Sequence, residues 1–303
     1  MRISAAAPAF ILILLHAAMI LTPAPADAEG YSRIVSLAPN ITETLYALGL
    51  GDRVAGVTRF CAWPPEAGEK PDVGGYFDPN LEAIVSLEPD LVIMLPAHQR
   101  LRPFLEELDI EYLTVANETI SEIIGTVRAI GDRCGVGERA AQMADSLERE
   151  VDSACPAGEE SVRPRVLIVV DRQYGTEPDE VYAAASGTWY DELVVAAGGT
   201  NVLKGTSPAY PMLSPESLVH LQPDIIIDIV PGAGGRGLEA DAIAADWGPF
   251  DMLRAVTDRR VHVLTGRYAA VPGPRFVRLL EELCAIFHDR DENEKGRPRP
   301  SLE

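Results

Sequence analysis

Two stretches of the chain carry the same pattern of apolar and polar positions. Pro79 to Leu95 reads PNLEAIVSLEPDLVIML and Pro215 to Ile229 reads PESLVHLQPDIIIDI. Glu82, Val85, Leu87, Pro89 and Asp90 therefore recur as Glu216, Val219, Leu221, Pro223 and Asp224, at a constant spacing of 134 residues. Each copy has apolar residues at helical spacing (Leu81, Ile84, Val85; Leu218, Val219, Leu221), then a Pro-Asp break, then an unbroken aliphatic run. That pattern predicts a short helix feeding a strand buried on both faces, as in a parallel α/β sheet covered by helices. A repeat of this length is too long for a solenoid unit and matches a whole domain, so the chain is expected to form two similar, Rossmann-like α/β lobes.

The pattern predicts the remaining elements in order. Arg33 to Leu37 reads as a strand, and Asn40 with Glu43 has capping-box spacing, which opens a helix ending at Gly49 or Gly51. Val54 to Val57 is a second strand. Two aromatic loops follow, Arg59 to Pro65 and Gly74 to Phe77, and both are expected at strand ends, where open α/β sheets bind ligands. Thr119 with Glu122 is another capping box, before a helix that keeps Ile120, Ile123, Ile124, Val127 and Ile130 on one face. Gly137 to Cys155 reads as one long amphipathic helix with Ala140, Met143, Ala144, Leu147 and Val151 on a single stripe. A polar linker from Pro156 leads to the second lobe. There Arg165 to Val170 and Val261 to Leu264 are strands, Tyr174 and Tyr182 fall on a long loop, and helices lie near Trp189 to Ala197 and up to Phe287.

Composition narrows the setting. Arg2, the apolar run Phe10 to Leu21 and the small residues around Ala28 predict a signal peptide over residues 1–28, cleaved before Glu29, with no lipid-bearing cysteine at the cut. The expected divisions are residues 29–135 for the first lobe, 136–156 for the linking helix, 157–288 for the second lobe and 289–303 for a disordered tail. A formal net charge of −20 argues against nucleic acid or an anionic membrane as partner. Cys61, Cys134, Cys155 and Cys284 lack metal-site spacing; a helix between Cys134 and Cys155 would hold them roughly 25–30 Å apart, which excludes a disulfide joining those two.

Candidate chemistry is sparse. Gly232 to Gly237 spells G-x-G-x-x-G, but Pro231 intervenes after the strand and no acidic residue ends the next one, so a dinucleotide site is not expected. There is no nucleophile elbow and no phosphate loop. Among five histidines only His98 is placed to face a cleft, and one histidine makes no transition-metal site. No metal or cofactor is expected, and no nucleophile is paired with a base, so an extracytoplasmic enzyme on the same frame ranks well behind a binding protein.

Read together, SLAPNITETLYALGLGDRVAGVT, the Cys61-x-x-Pro64-Pro65 loop, GGYFDPNLEAIVSLEPDLVI and PGPR before the last helix resemble periplasmic substrate-binding proteins of the cobalamin and ferric-siderophore class. The resemblance runs from about Arg33 to Phe287. It implies two α/β lobes joined by a single long helix, a ligand cleft between them, a periplasmic location, a monomer, and an ABC importer permease dimer in the inner membrane as partner. It puts a corrinoid such as cobalamin first, a ferric siderophore second and haem third, with Trp63, Tyr76, Phe77, His98, Tyr182, Tyr210, Arg267 and Tyr268 as the ligand-binding set. Arg267 and Tyr268 stand where such cobalamin binders have an Asp-Trp pair, and an arginine there would suit an anionic ligand. Cys284 matches a family cysteine whose partner position is Ala197, so that disulfide is not expected. Glu82 and Glu216, one per lobe, are the implied contacts to arginines of the transporter.

Overall fold

The computed structural model describes residues 30–155 and 163–288. The expected signal peptide, the linker from Pro156 and the expected tail lie outside the described residues. The first lobe runs β1 (Ile34–Ser36), α1 (Pro39–Ala47), β2 (Val54–Val57), α2 (Leu81–Ser86), β3 (Leu91–Met94), α3 (Arg102–Glu107) and β4 (Glu111–Thr114). Two antiparallel-packed helices follow, α4 (Ile120–Arg133) and α5 (Gly137–Ser153). The second lobe runs β5 (Arg165–Arg172), β6 (Val181–Ala183), α6 (Trp189–Ala196), β7 (Thr200–Asn201), β8 (Met212–Leu213), α7 (Pro215–Leu221), β9 (Ile225–Ile229), α8 (Ala240–Ala245), α9 (Arg254–Thr257), β10 (Val261–Leu264) and α10 (Phe276–His288).

The first sheet is wholly parallel, in the order β2-β1-β3-β4. In the second, β7, β5, β9 and β10 repeat that order in parallel, β6 is added antiparallel along the far half of β5, and β8 pairs antiparallel with β6. Tyr182 thus lies on a strand rather than a loop: Asp171 and Tyr182 are paired in the ladder, and alternation leaves the ring on the exposed face. Every residue of β3 and β9 is buried, as continuous aliphatic strands covered on both faces must be.

The repeated Leu-x-Pro-Asp has the same structural work in both lobes. The Asp90 carboxylate accepts hydrogen bonds from the backbone N–H groups of Ser32 and Arg33, just ahead of β1. Asp224 accepts from the Arg165 N–H at 2.9 Å at the start of β5. In return the Arg33 and Arg165 guanidinium groups donate to the carbonyls of Leu87 and Leu221 at the ends of α2 and α7. Each copy therefore fastens the entry of the first strand to the exit of the helix before the neighbouring strand.

The capping boxes divide. Thr119 and Glu122 form theirs at the start of α4, and the Thr119 hydroxyl accepts from the Glu122 N–H. Asn40 and Glu43 do not. Pro39, with its φ preset for the first helical position, starts α1 one residue earlier behind Ala38, and both polar side chains are carried into the buried interior. α4 and α5 approach so closely that a Cβ on Gly131 would lie 2.0 Å from the Ala140 Cβ, so glycine is required there. The exposed end of α5 is fastened to α10 by a disulfide between Cys155 and Cys284, with Cα atoms 5.8 Å apart. Cys284, matched from sequence to a partner at Ala197, has instead a partner 129 residues away, while Cys134 and Cys61 are free and buried.

One apolar cluster spans the lobes. It takes Ile41 and Leu45 from α1, Ile123 and Val127 from α4, Leu147 from α5, Leu193 from α6, and Leu280 and Leu283 from α10. Three polar links reinforce it. Arg275 makes a two-pronged ion pair with Glu43, its Nε 2.9 Å from Oε2 and its Nη2 2.5 Å from Oε1. The Glu192 carboxylate accepts from the Ile120 N–H at 2.6 Å, capping α4 from the other lobe. The Arg275 guanidinium also lies 4.7 Å from the Trp63 ring centre. Among the described residues no helix is long and apolar enough to cross a membrane.

Candidate functional site

Parallel sheets with this strand order open a crevice outside their carboxyl ends, where neighbouring connections leave to opposite faces. Both lobes direct that edge to one cleft of about 530 Å³. The first lobe lines it with Pro39 and Asn40 at the start of α1 and with the loop residues Phe60, Tyr76 and Phe77. Asn117 and Glu118 enter from the loop after β4. The second lobe supplies Val170, Trp189, Tyr190, Tyr210 and the segment Ala270 to Pro272.

Three of the residues expected from sequence meet in this cleft: Tyr76, Phe77 and Tyr210. The Tyr76 and Phe77 rings are edge-on at 4.8 Å, and Phe77 is 78% exposed, an uncovered apolar ring at the mouth. The other five are elsewhere. His98 is buried beneath the floor: its Nδ1 accepts the Leu95 N–H at 3.2 Å, so its Nε2 carries the proton and donates to the Tyr76 carbonyl at 2.6 Å. Arg100 donates to the next carbonyl, Phe77, at 2.5 Å. The pair holds the aromatic loop from behind, and burial pushes the His98 ring below its ordinary pKa. Trp63 lies against Arg275 outside the lining. Tyr182 is on β6. Arg267 is exposed and packs toward Gly232. Tyr268 donates its hydroxyl to Glu282, and burial raises its phenol to about 12.

Trp189 and Tyr190 were not among the expected residues, and neither were Asn40, Asn117, Glu118 or Phe60. Trp189 and Tyr190 open α6 with ring centres 4.1 Å apart, and the Tyr190 hydroxyl donates to the Ala269 carbonyl at 2.8 Å. A signal existed for Asn40: a helix after a parallel strand begins at the carboxyl edge, and α1 follows the parallel strand β1, so its first turn faces the crevice. None marked Trp189 and Tyr190, because α6 follows β6, which runs antiparallel to β5. Burial, and then the field of Glu118, raise the Tyr210 phenol to about 12; the same two causes raise Tyr76. Both rings are therefore neutral hydrogen-bonding groups at ordinary pH. Among the described residues no cluster of three histidine, cysteine or acidic side chains is arranged to hold a metal.

Two facing α/β lobes joined by a shared core, with an aromatic cleft between them, have the form of a binding protein for a small molecule. Residues 34–265 match the family model described as periplasmic binding protein. The chain is 28% identical to the vitamin B12-binding protein of Vibrio cholerae over 279 residues, which cover 89% of this chain and 92% of that one. It is also 28% identical to an uncharacterised ABC transporter substrate-binding lipoprotein of Bacillus subtilis, over 85% of this chain and 80% of the other. Among solved structures, the apo periplasmic haem-binding protein of Roseiflexus sp. RS-1 superposes with a TM-score of 0.72 at 25% identity, over 86% of this chain and 99% of that one. The chain belongs to the periplasmic binding protein family, whose members are extracytoplasmic substrate-binding proteins and not enzymes.

Proposed function

We propose that this protein captures a corrinoid in the cleft and delivers it to a dimeric ABC importer in the inner membrane. The composition of the cleft carries the reading. Six aromatic side chains, Phe60, Tyr76, Phe77, Trp189, Tyr190 and Tyr210, line it, and Glu118 is the one charged residue among the described lining. Broad rigid rings suit a large, flat, amphipathic ligand. Haem propionates or an acidic siderophore would call for arginine or lysine in the lining. Arg267, the cation that favoured such a ligand from sequence, lies outside it. The name of the Vibrio cholerae relative agrees with this choice, and that of the Roseiflexus neighbour supplies the competing ligand to test.

Delivery rests on Glu82 and Glu216. Both are exposed, in the first turns of α2 and α7, while Asn80 and Ser214 already serve as the N-caps of those helices. A pair related by the internal repeat matches a two-fold partner with one arginine site per subunit. Calorimetric titration of the purified protein with cyanocobalamin, hemin and a ferric hydroxamate tests the ligand. One-to-one binding that is tightest for cyanocobalamin is expected; tighter binding of hemin or the hydroxamate would replace the corrinoid.

A further inference from the structure

Asn40 is 3% exposed and lines the cleft, yet its side chain makes no hydrogen bond with any described residue. Asn117, also in the lining and half-buried, likewise makes no side-chain hydrogen bond with any described residue. With no protein partner, the Asn40 amide is left to cleft water in the empty protein and is free for a group that arrives with the ligand. Glu118 stands beside Asn117 with its carboxylate outside any ion pair among the described residues, and its charge is felt by the phenols of Tyr76 and Tyr210.

From these three side chains we infer that the polar face of the cleft reads primary carboxamides and discriminates against carboxylates in the same positions. This deepens the corrinoid reading and rests on the cleft being the ligand site. An asparagine presents one acceptor and an NH₂ donor; a primary carboxamide presents the complementary pair, and the two close two hydrogen bonds. A carboxylate presents acceptors alone. It leaves the asparagine carbonyl unmatched and brings a second negative charge into a cleft that already holds Glu118 and no lining cation among the described residues. The first turn of α1 has no side-chain cap, so its free N–H groups can serve an amide carbonyl. The modest pull of that helix end on an anion is opposed by Glu118.

The test uses the mature protein and two matched ligand pairs. One is cyanocobalamin with its monocarboxylic acids, each with a single side-chain amide hydrolysed. The other is hemin diamide with hemin. In whichever pair binds, the amide is expected to bind about tenfold or more tightly than at least one acid counterpart. Asn40→Leu should weaken the amide ligand by about tenfold without moving the melting temperature of the empty protein, and Glu118→Gln should narrow the amide-to-acid ratio by tightening the binding of the acid. Cyanocobalamin bound no more tightly than all of its acids would overturn the inference and leave the corrinoid reading intact. A hemin diamide preference without cyanocobalamin binding would do the reverse. Binding of neither pair, or an unchanged ratio in Glu118→Gln, would overturn it as well.

Discussion

The ion pair between Arg275 and Glu43 joins residues 232 positions apart, and Arg275→Met would test what it contributes. The Glu43 side chain is 4% exposed and that of Arg275 16%, so the pair is largely out of water. Burial raises the Glu43 carboxyl above its ordinary 4.5, and the hydrogen bonds and charge of Arg275 pull it back. Methionine fills much of the arginine volume but leaves Glu43 without its counter-ion. Breaking a buried pair from one side costs about 3–5 kcal/mol, whereas removing both charges is often nearly neutral. For a chain of this size about 1 kcal/mol lowers the melting temperature by roughly 2 °C, so Arg275→Met should melt about 6–10 °C lower at pH 8. The sign with pH follows from the raised carboxyl. Glu43 is tolerated best when protonated, so its favourable contribution is full below the unfolded value near 4.5 and is lost as pH rises through the folded value. The deficit of Arg275→Met should therefore shrink at pH 5, and Glu43→Gln with Arg275→Met should recover most of it at pH 8. Circular dichroism melts of the four proteins at both pH values decide the matter. A double variant no more stable than Arg275→Met, or a deficit unchanged between pH 8 and pH 5, would refute the reasoning.

Four further outcomes are expected. His98 is held neutral, so the stability it contributes is present above the unfolded value near 6.5 and lost as pH falls through its lowered folded value; His98→Gln, which keeps a donor for the Tyr76 carbonyl, should flatten that slope between pH 7 and 5.5 in thermal melts, and an unchanged slope would count against it. Reducing the Cys155–Cys284 disulfide should cost about 2–5 kcal/mol, and Cys155→Ser should match the reduced wild type in denaturant titrations. Glu82→Ala with Glu216→Ala should leave ligand affinity and melting intact but abolish stimulation of the importer's ATPase in reconstituted vesicles; full transport would return both residues to helix-end electrostatics. The core shared by α1, α4, α6 and α10 allows only a small rocking of the lobes, so small-angle scattering should show little change in radius of gyration on ligand binding, and a large decrease would contradict it.

What the chain could announce by itself was local. The aliphatic runs of β3 and β9 require burial on both faces wherever they are placed, and the Thr119–Glu122 capping box closes within one helical turn. The 134-residue repeat was legible as recurring residues, although the Asp90 and Asp224 closures that use it reach partners 57 and 59 residues away. Tyr76, Phe77 and Tyr210 could be placed because loops at strand carboxyl ends open on the crevice. The rest depended on partners distant in sequence. Asn40 and Glu43 have perfect capping spacing, and only Arg275, brought in from just ahead of α10, shows why Glu43 turns inward. His98 looked like a cleft residue until the Leu95 N–H and the Tyr76 carbonyl took both of its nitrogens. Cys284 found Cys155 because α5 and α10 end side by side, a proximity no spacing encodes. Periodicity and capping are set by bonds a few residues long, whereas a cleft is set by which surfaces two lobes turn toward each other. That choice was made by the shared core, which exists only once the whole chain has folded.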